Sequence, residues 1–323
     1  MSESRLQALL VRVLAGDRVA LARALTLVEN RAPGVATLMS AVHARSGRAH
    51  RVGFTGPPGA GKSTLVDRVV SANRADGRRE GVLAVDPSSP FSGGAVLGDR
   101  IRMQRHFLDP DVFIRSLSTR GAHGGIPAAA RDMARLLDAY GCDDVLIETV
   151  GVGQTELDVM RLAHSVVVVL VPEAGDAVQV MKAGLLEIAD IFVVNKVDRD
   201  GAERMRTELV QMLQLRPAGG WEIPVLGTCG TTGEGVAELT GALARHRDFV
   251  AAAMDRPERE RRQRARDLRD ILAEEIQRRV EGSLEGSARA VANAVADGTL
   301  DPYAGALRIL EDEHTLTALI GGR

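Results

Sequence analysis

The chain has 323 residues, of which 45% are hydrophobic and 3% aromatic, with a formal net charge of -2 at pH 7. This length accommodates one large domain with appendages or two domains, and the near-neutral balance supplies no global attraction to nucleic acid or to an anionic membrane. The longest apolar stretch, Val166 to Pro172, is far too short to span a bilayer, no long apolar region follows the first residues, and Cys142 and Cys229 lack C-x-x-C spacing, which together predict a cytoplasmic protein without disulfides.

Residues 1–48 read as a helical N-terminal extension. Leu6, Leu9, Leu10, Val13 and Leu14 recur at helical spacing, and Gly16 ends the run. Asp17 is placed to cap a second helix carrying Leu21, Ala24, Leu25 and Val28 on one side. Pro33-Gly34 breaks that helix, and Val35, Leu38, Met39 and Val42 begin a third. Residues 49–250 alternate short apolar runs with helical patterns. The predicted strands are Arg51–Thr55, Val82–Asp86, Val112–Leu117, Val145–Thr149, Ser165–Val171, Ile191–Asn195 and Pro224–Thr228. Most are rich in Val and Ile on both faces, as in a parallel sheet covered by helices, so the expected class is α/β, doubly wound and mostly parallel.

Within that region Gly56-Pro57-Pro58-Gly59-Ala60-Gly61-Lys62-Ser63 is a complete G-x-x-x-x-G-K-[ST] loop between a strand and the helical run that opens at Thr64. The glycines let backbone N–H groups turn toward phosphate oxygens, Lys62 reaches the outer phosphates and Ser63 is a magnesium ligand. Asp86 stands at a strand end, suited to hold a magnesium-bound water or to orient the attacking water. Asp99, beyond the mobile-looking Gly93-Gly94 pair, is a second such acid, and a helix N-cap is its competing reading. Glu148 ends another apolar strand aimed at the metal, and Gly151 offers an N–H to the γ-phosphate. Asn195-Lys196-Val197-Asp198 is an N-K-x-D motif at a strand end. Its Asp198 carboxylate can accept both N–H groups of a guanine edge, a donor pair adenine lacks. Asn195 braces loops, the Lys196 stem lies over the base, and backbone N–H groups in Thr228-Cys229-Gly230 are placed to meet the guanine carbonyl. GTP or GDP with Mg²⁺ is therefore the expected ligand. No arginine finger in cis is evident, so slow hydrolysis is expected without a partner.

Residues 251–323 read as a helical C-terminal arm. Arg256, Arg259, Arg261 and Arg262 are interleaved with Glu258 and Glu260, while Leu268, Ile271, Leu272, Ile276 and Val280 repeat every three or four residues. This predicts a long amphipathic helix with a mixed-charge outer face that mediates self-association and does not bind nucleic acid.

Taken together, Gly53-Phe54-Thr55 with the phosphate loop, Ala84-Val85-Asp86-Pro87-Ser88-Ser89-Pro90, Leu97-Gly98-Asp99-Arg100, Glu148-Thr149-Val150-Gly151-Val152-Gly153-Gln154 and Leu300-Asp301-Pro302-Tyr303 resemble the MeaB/ArgK family of GTPases, relatives of the human methylmalonic aciduria type A protein. The resemblance runs over nearly the whole length. It implies a homodimeric chaperone that gates adenosylcobalamin loading and protects a cobalamin-dependent acyl-CoA mutase, chiefly methylmalonyl-CoA mutase. It also makes Lys182, in Gly175 to Gly184, a relay residue of an additional switch. Two departures stand out: Thr228-Cys229-Gly230 where the family has Thr-Ser-Ala, and Ala122-His123-Gly124-Gly125 where it has a Ser/Thr-Leu-Gly-Gly pattern. Two other functions share the fold class. A metal-insertion GTPase of the nickel-enzyme type needs a Cys/His relay, whereas the seven histidines here are scattered. A transport-coupled ATPase or kinase conflicts with the guanine motif.

Overall fold

The computed structural model describes residues 3–86, 103–118, 125–149, 160–172, 185–215, 220–253, 256–286 and 288–321. The chain divides into two compact units, Met1–Asp255 and Arg256–Arg323.

Three helices open the first unit: α1 (Glu3–Leu14), α2 (Arg18–Glu29) and α3 (Val35–His43). Asp17 caps α2, its Oδ1 accepting from Val19 N at 2.9 Å and Ala20 N at 3.0 Å. The strands are β1 (His50–Thr55), β2 (Glu80–Asp86), β3 (Val112–Ser118), β4 (Asp144–Thr149), β5 (Ser165–Leu170), β6 (Ile191–Asn195) and β7 (Val225–Thr228). All seven predicted strands are present. They form one sheet in the order β3-β2-β4-β1-β5-β6-β7, and every neighbouring pair is parallel. The connecting helices include α4 (Lys62–Ala75), α5 (Gly125–Tyr140), the short α6 (Leu185–Ile188), α7 (Ala202–Leu213) and α8 (Val236–Ala253).

Side chains on a strand alternate faces, so the Val/Ile runs feed two cores. Val145, Ile147, Val168, Leu170, Phe192 and Val194 join a core with Leu9, Val13, Leu21 and Leu25 of α1 and α2 and with Met133 and Leu137 of α5. Val52, Phe54, Leu146, Val167, Val169 and Val193 join the opposite core with Leu65, Val66 and Val69 of α4 and Leu239 of α8. Residues 1–48 are thus part of the sheet's own cover, within the same compact unit as the nucleotide motifs.

The second unit consists of α9 (Arg256–Glu285), α10 (Arg289–Ala296), α11 (Pro302–Glu311) and α12 (Glu313–Gly321), with α9 packed against α10 and α12. Asp301 caps α11, whose first residue is Pro302, where a missing N–H costs nothing. On α9, Leu268 is 67% and Leu272 54% exposed. Among the described residues no helix is long and apolar enough to cross a membrane.

Candidate nucleotide-binding site

The phosphate loop connects the central strand β1 to α4 at the carboxyl edge of the sheet, where doubly wound folds bind ligands. Two of its glycines are required by geometry. Gly56 has φ 142°, and a Cβ there would lie 2.0 Å from the Val169 carbonyl oxygen; Gly61 has φ 84°, and a Cβ would lie 2.5 Å from Asn195 Nδ2. The loop thereby delivers the opening N–H groups of α4, which have no partner within the helix, to one concave surface. Lys62 is buried, and its ammonium donates to Gly56 O at 2.8 Å and Pro57 O at 2.9 Å. Ser63 donates to Glu148 Oε1 at 2.6 Å, across the β1–β4 pairing that sets Phe54 opposite Glu148. One turn of register away, Thr149 donates to Thr55 Oγ1 at 3.3 Å. Two buried oxygen donors side by side, one of them a carboxylate, are the hard set that Mg²⁺ takes, so these residues fit the ion. Asp86 is the last residue of β2, the strand beside β4.

The base-recognition end is built around Asn195. Its Nδ2 donates to Ala60 O in the phosphate loop at 2.8 Å. Its Oδ1 accepts from Thr228 Oγ1 at 3.0 Å and from Gly230 N at 3.1 Å. One buried side chain therefore ties three loops together. Lys196 follows in the left-handed region, φ 62°, a conformation that non-glycine residues adopt at a cost and that turns the chain toward Asp198. Asp198 is exposed, and Cys229 Sγ donates to its Oδ1 at 3.3 Å. The hydroxyls of Thr231 and Thr232 hold the Cys229 thiol below its ordinary pKa.

The Thr228-Cys229-Gly230 segment is expected to offer backbone N–H groups to a guanine carbonyl. Here Cys229 N donates to Glu234 O at 3.0 Å and Gly230 N to Asn195 Oδ1, so both N–H groups are used inside the protein, and it is the thiol that meets Asp198. A further residue was not anticipated. Arg68, on α4, donates through Nε to Gly230 O at 2.9 Å and through Nη2 to Thr231 O, which fixes the base loop to the phosphate-loop helix. Nothing in its local sequence distinguishes it from any exposed helical arginine. Asp99, Gly151 and Lys182 lie outside the described residues.

The histidines are less scattered than their numbering suggests. At the opposite, amino-terminal edge of the sheet, His50 Nε2 lies 2.8 Å from Ser165 Oγ, and Ser165 Oγ lies 2.7 Å from His246 Nδ1. Burial pushes His50 down to about 3 and His246 down to about 4, which keeps both neutral. Ser165 is fully buried, so this chain of groups joins β1, β5 and α8 structurally and presents no nucleophile.

Comparison with known proteins agrees with this geometry. The model of the family described as "Methylmalonyl Co-A mutase-associated GTPase MeaB" matches residues 21–285. A putative GTPase of Pyrococcus horikoshii is 46% identical over 307 residues, covering 94% of this chain and 96% of the relative. GTPase ArgK of Escherichia coli is 34% identical over 286 residues, covering 85% of this chain and 86% of that one. The mitochondrial methylmalonic aciduria type A homolog of Mus musculus is 41% identical over 194 residues, which is 58% of this chain and 47% of that protein. Among solved structures, one described as an LAO/AO transport system kinase superposes with a TM-score of 0.70 at 27% identity, covering 96% of this chain and 98% of the other. The chain belongs to the methylmalonyl-CoA mutase-associated GTPase family, MeaB, and is a P-loop GTPase.

Proposed function

We propose that this GTPase is a cytoplasmic chaperone for a cobalamin-dependent acyl-CoA mutase, most simply methylmalonyl-CoA mutase, whose adenosylcobalamin loading it gates and which it protects. The observation that carries the reading is the family match over residues 21–285, a family described by its association with that mutase. The naming of the mouse relative after a methylmalonic aciduria supports it.

The site's own groups suit nucleotide turnover. Lys62 donates to the carbonyls of Gly56 and Pro57, and charged phosphate oxygens are stronger acceptors than either. Ser63 and Glu148, with Asp86 and Asp99 completing the set, would hold Mg²⁺. When bound, the ion supplies positive charge that offsets charge developing on the transferred phosphoryl group. Asp86 and Asp99 orient the attacking water, Gly151 reads the γ-phosphate, and Lys182 relays its loss. Asp198 and the braced Asn195 select guanine. Hydrolysis is slow until the mutase supplies a missing cation or orders these acids, and that step accelerates turnover by roughly 10³–10⁵ where an arginine is what is missing.

The test is steady-state GTP turnover with the purified mutase titrated in, paired with mutase affinity measured with GTP and with GDP. Stimulated turnover and a nucleotide-dependent affinity are expected, because a partner that senses the nucleotide must also change its affinity. Lys182→Ala should lose the stimulation and keep basal hydrolysis. Turnover and affinity both indifferent to the mutase would refute the chaperone reading.

A further inference from the structure

Far from the nucleotide motifs in sequence, α1 and α2 enclose an open groove of about 620 Å³, lying wholly within the first unit. One wall is the stripe Arg5, Ala8, Leu9 and Arg12 of α1, spaced i, i+3, i+4, i+7. The other is Val19, Ala22, Arg23 and Leu27 of α2, spaced i, i+3, i+4, i+8. Small side chains, Ala8 and Ala22, sit in both walls and leave room for close approach. The floor is apolar but wet: Val19 is 58% exposed. Leu9 enters the core from this face and Ala22 and Leu27 pack against it, while Arg5, Ala8 and Arg12 of α1 and Val19 and Arg23 of α2 remain exposed.

The charge of the groove has one sign. Four arginines line it, Arg5, Arg12, Arg23 and Arg115, and no acid does. Arg12 is paired with Asp17 at 2.6 Å, and Arg115 is paired with Glu29. Arg5 and Arg23 are exposed and have no acidic partner among the described residues.

We propose that the α1–α2 groove is a docking site for an acidic amphipathic α-helix of a partner protein. A groove between two neighbouring helices has the shape that a third helix fills, with its apolar stripe on Ala8, Val19 and Leu27 and its carboxylates on Arg5 and Arg23. An open trough with exposed walls suits a helix better than a small molecule, which is bound in enclosed pockets. The proposal rests on no property of the nucleotide site and stands or falls separately from the mutase reading.

The probe is an 18-residue fluorescein-labelled helical peptide with leucines at i, i+3, i+4 and i+7 flanked by glutamates, and a twin in which each Glu is Gln. Binding to the full chain is followed by fluorescence anisotropy, and hydrogen exchange locates it. The acidic peptide is expected to bind at least ten-fold tighter than its twin and to protect amides within residues 3–29. Arg5→Glu with Arg23→Glu should weaken it at least ten-fold while thermal stability and GTP turnover stay unchanged, since neither side chain has an acidic partner among the described residues. Ala22→Phe, which fills the trough, should weaken both peptides. Equal affinity for the two peptides, protection outside residues 3–29, or affinity unaffected by the double reversal would overturn the proposal. If the double reversal instead abolishes binding to anionic phosphatidylserine vesicles, or changes the sedimenting mass of the chain alone, the occupant is a lipid surface or a second copy, and the proposal fails.

Discussion

Single side chains decide both selectivity and pH response. Asp198 accepts one thiol contact and is exposed, so on the proposed reading its carboxylate accepts two donors from guanine, while Asn195 ties the surrounding loops together. Asp198→Asn replaces an acceptor-only group by one that also donates. GTP affinity should fall at least ten-fold, since bonds to charged groups are worth about 1.5–3 kcal/mol each, and xanthosine triphosphate should become the better ligand. Calorimetry with both nucleotides measures this, and an unchanged preference for GTP would remove Asp198 from base recognition. Glu80, the first residue of β2, responds to pH in a different way. Burial, then the neighbouring Asp144 carboxylate, raises it to about 9. The folded chain keeps a proton that the unfolded chain releases above about 4.5, so stability falls as pH rises through that window, by up to about 1.4 kcal/mol per pH unit. His50 and His246 have the opposite sign: their depressed values mean that stability falls as pH drops below about 6.5. Glu80→Gln removes only the first effect. Its melting temperature relative to the parent should climb steadily from pH 5 to pH 9; a constant difference would show that Glu80 ionises normally.

At the scale of elements, α4 and α9 carry the clearest consequences. The start of α4 supplies Lys62 and Ser63, its next turns supply Arg68, and its inner face supplies Leu65, Val66 and Val69 to the core, so the helix that follows the phosphate loop is also the one anchored to the loop at Gly230. The long helix α9 has a different problem. Leu268, Ile271, Leu272 and Ile276 lie on one stripe and all are exposed, an apolar seam of the kind that marks an interaction surface. If the second unit is the self-association arm, Leu268→Asp with Leu272→Asp should convert a dimer to a monomer in sedimentation at micromolar concentration and leave GTP affinity unchanged. A parent chain that sediments as a monomer would assign the seam another role.

For the molecule as a whole, the parallel sheet collects groups far apart in the chain along one edge. Lys62 and Ser63 follow β1, Glu148 is the penultimate residue of β4, Asn195 ends β6 and Thr228 ends β7, because parallel strands all point their carboxyl ends the same way. The N-terminal helices belong to this unit as well. Expected as an extension, residues 1–48 contribute Val13, Leu21, Leu25 and Val42 to the core on one face of the sheet.

What the sequence determined by itself was local. Strand positions followed from short Val/Ile runs between breakers, the α2 cap from Asp17 and the phosphate-loop conformation from its glycine spacing, since backbone conformation and hydrogen-bonding capacity are properties of neighbouring residues. Tertiary structure decided which distant groups meet. Arg68 reaches Gly230, the Cys229 thiol and not its N–H faces Asp198, His50 and His246 share Ser165, and Arg5 and Arg23 come to line one groove. No periodicity encodes such encounters. They depend on strand order and helix packing, which bring side chains tens to hundreds of residues apart within hydrogen-bonding distance once the two cores close.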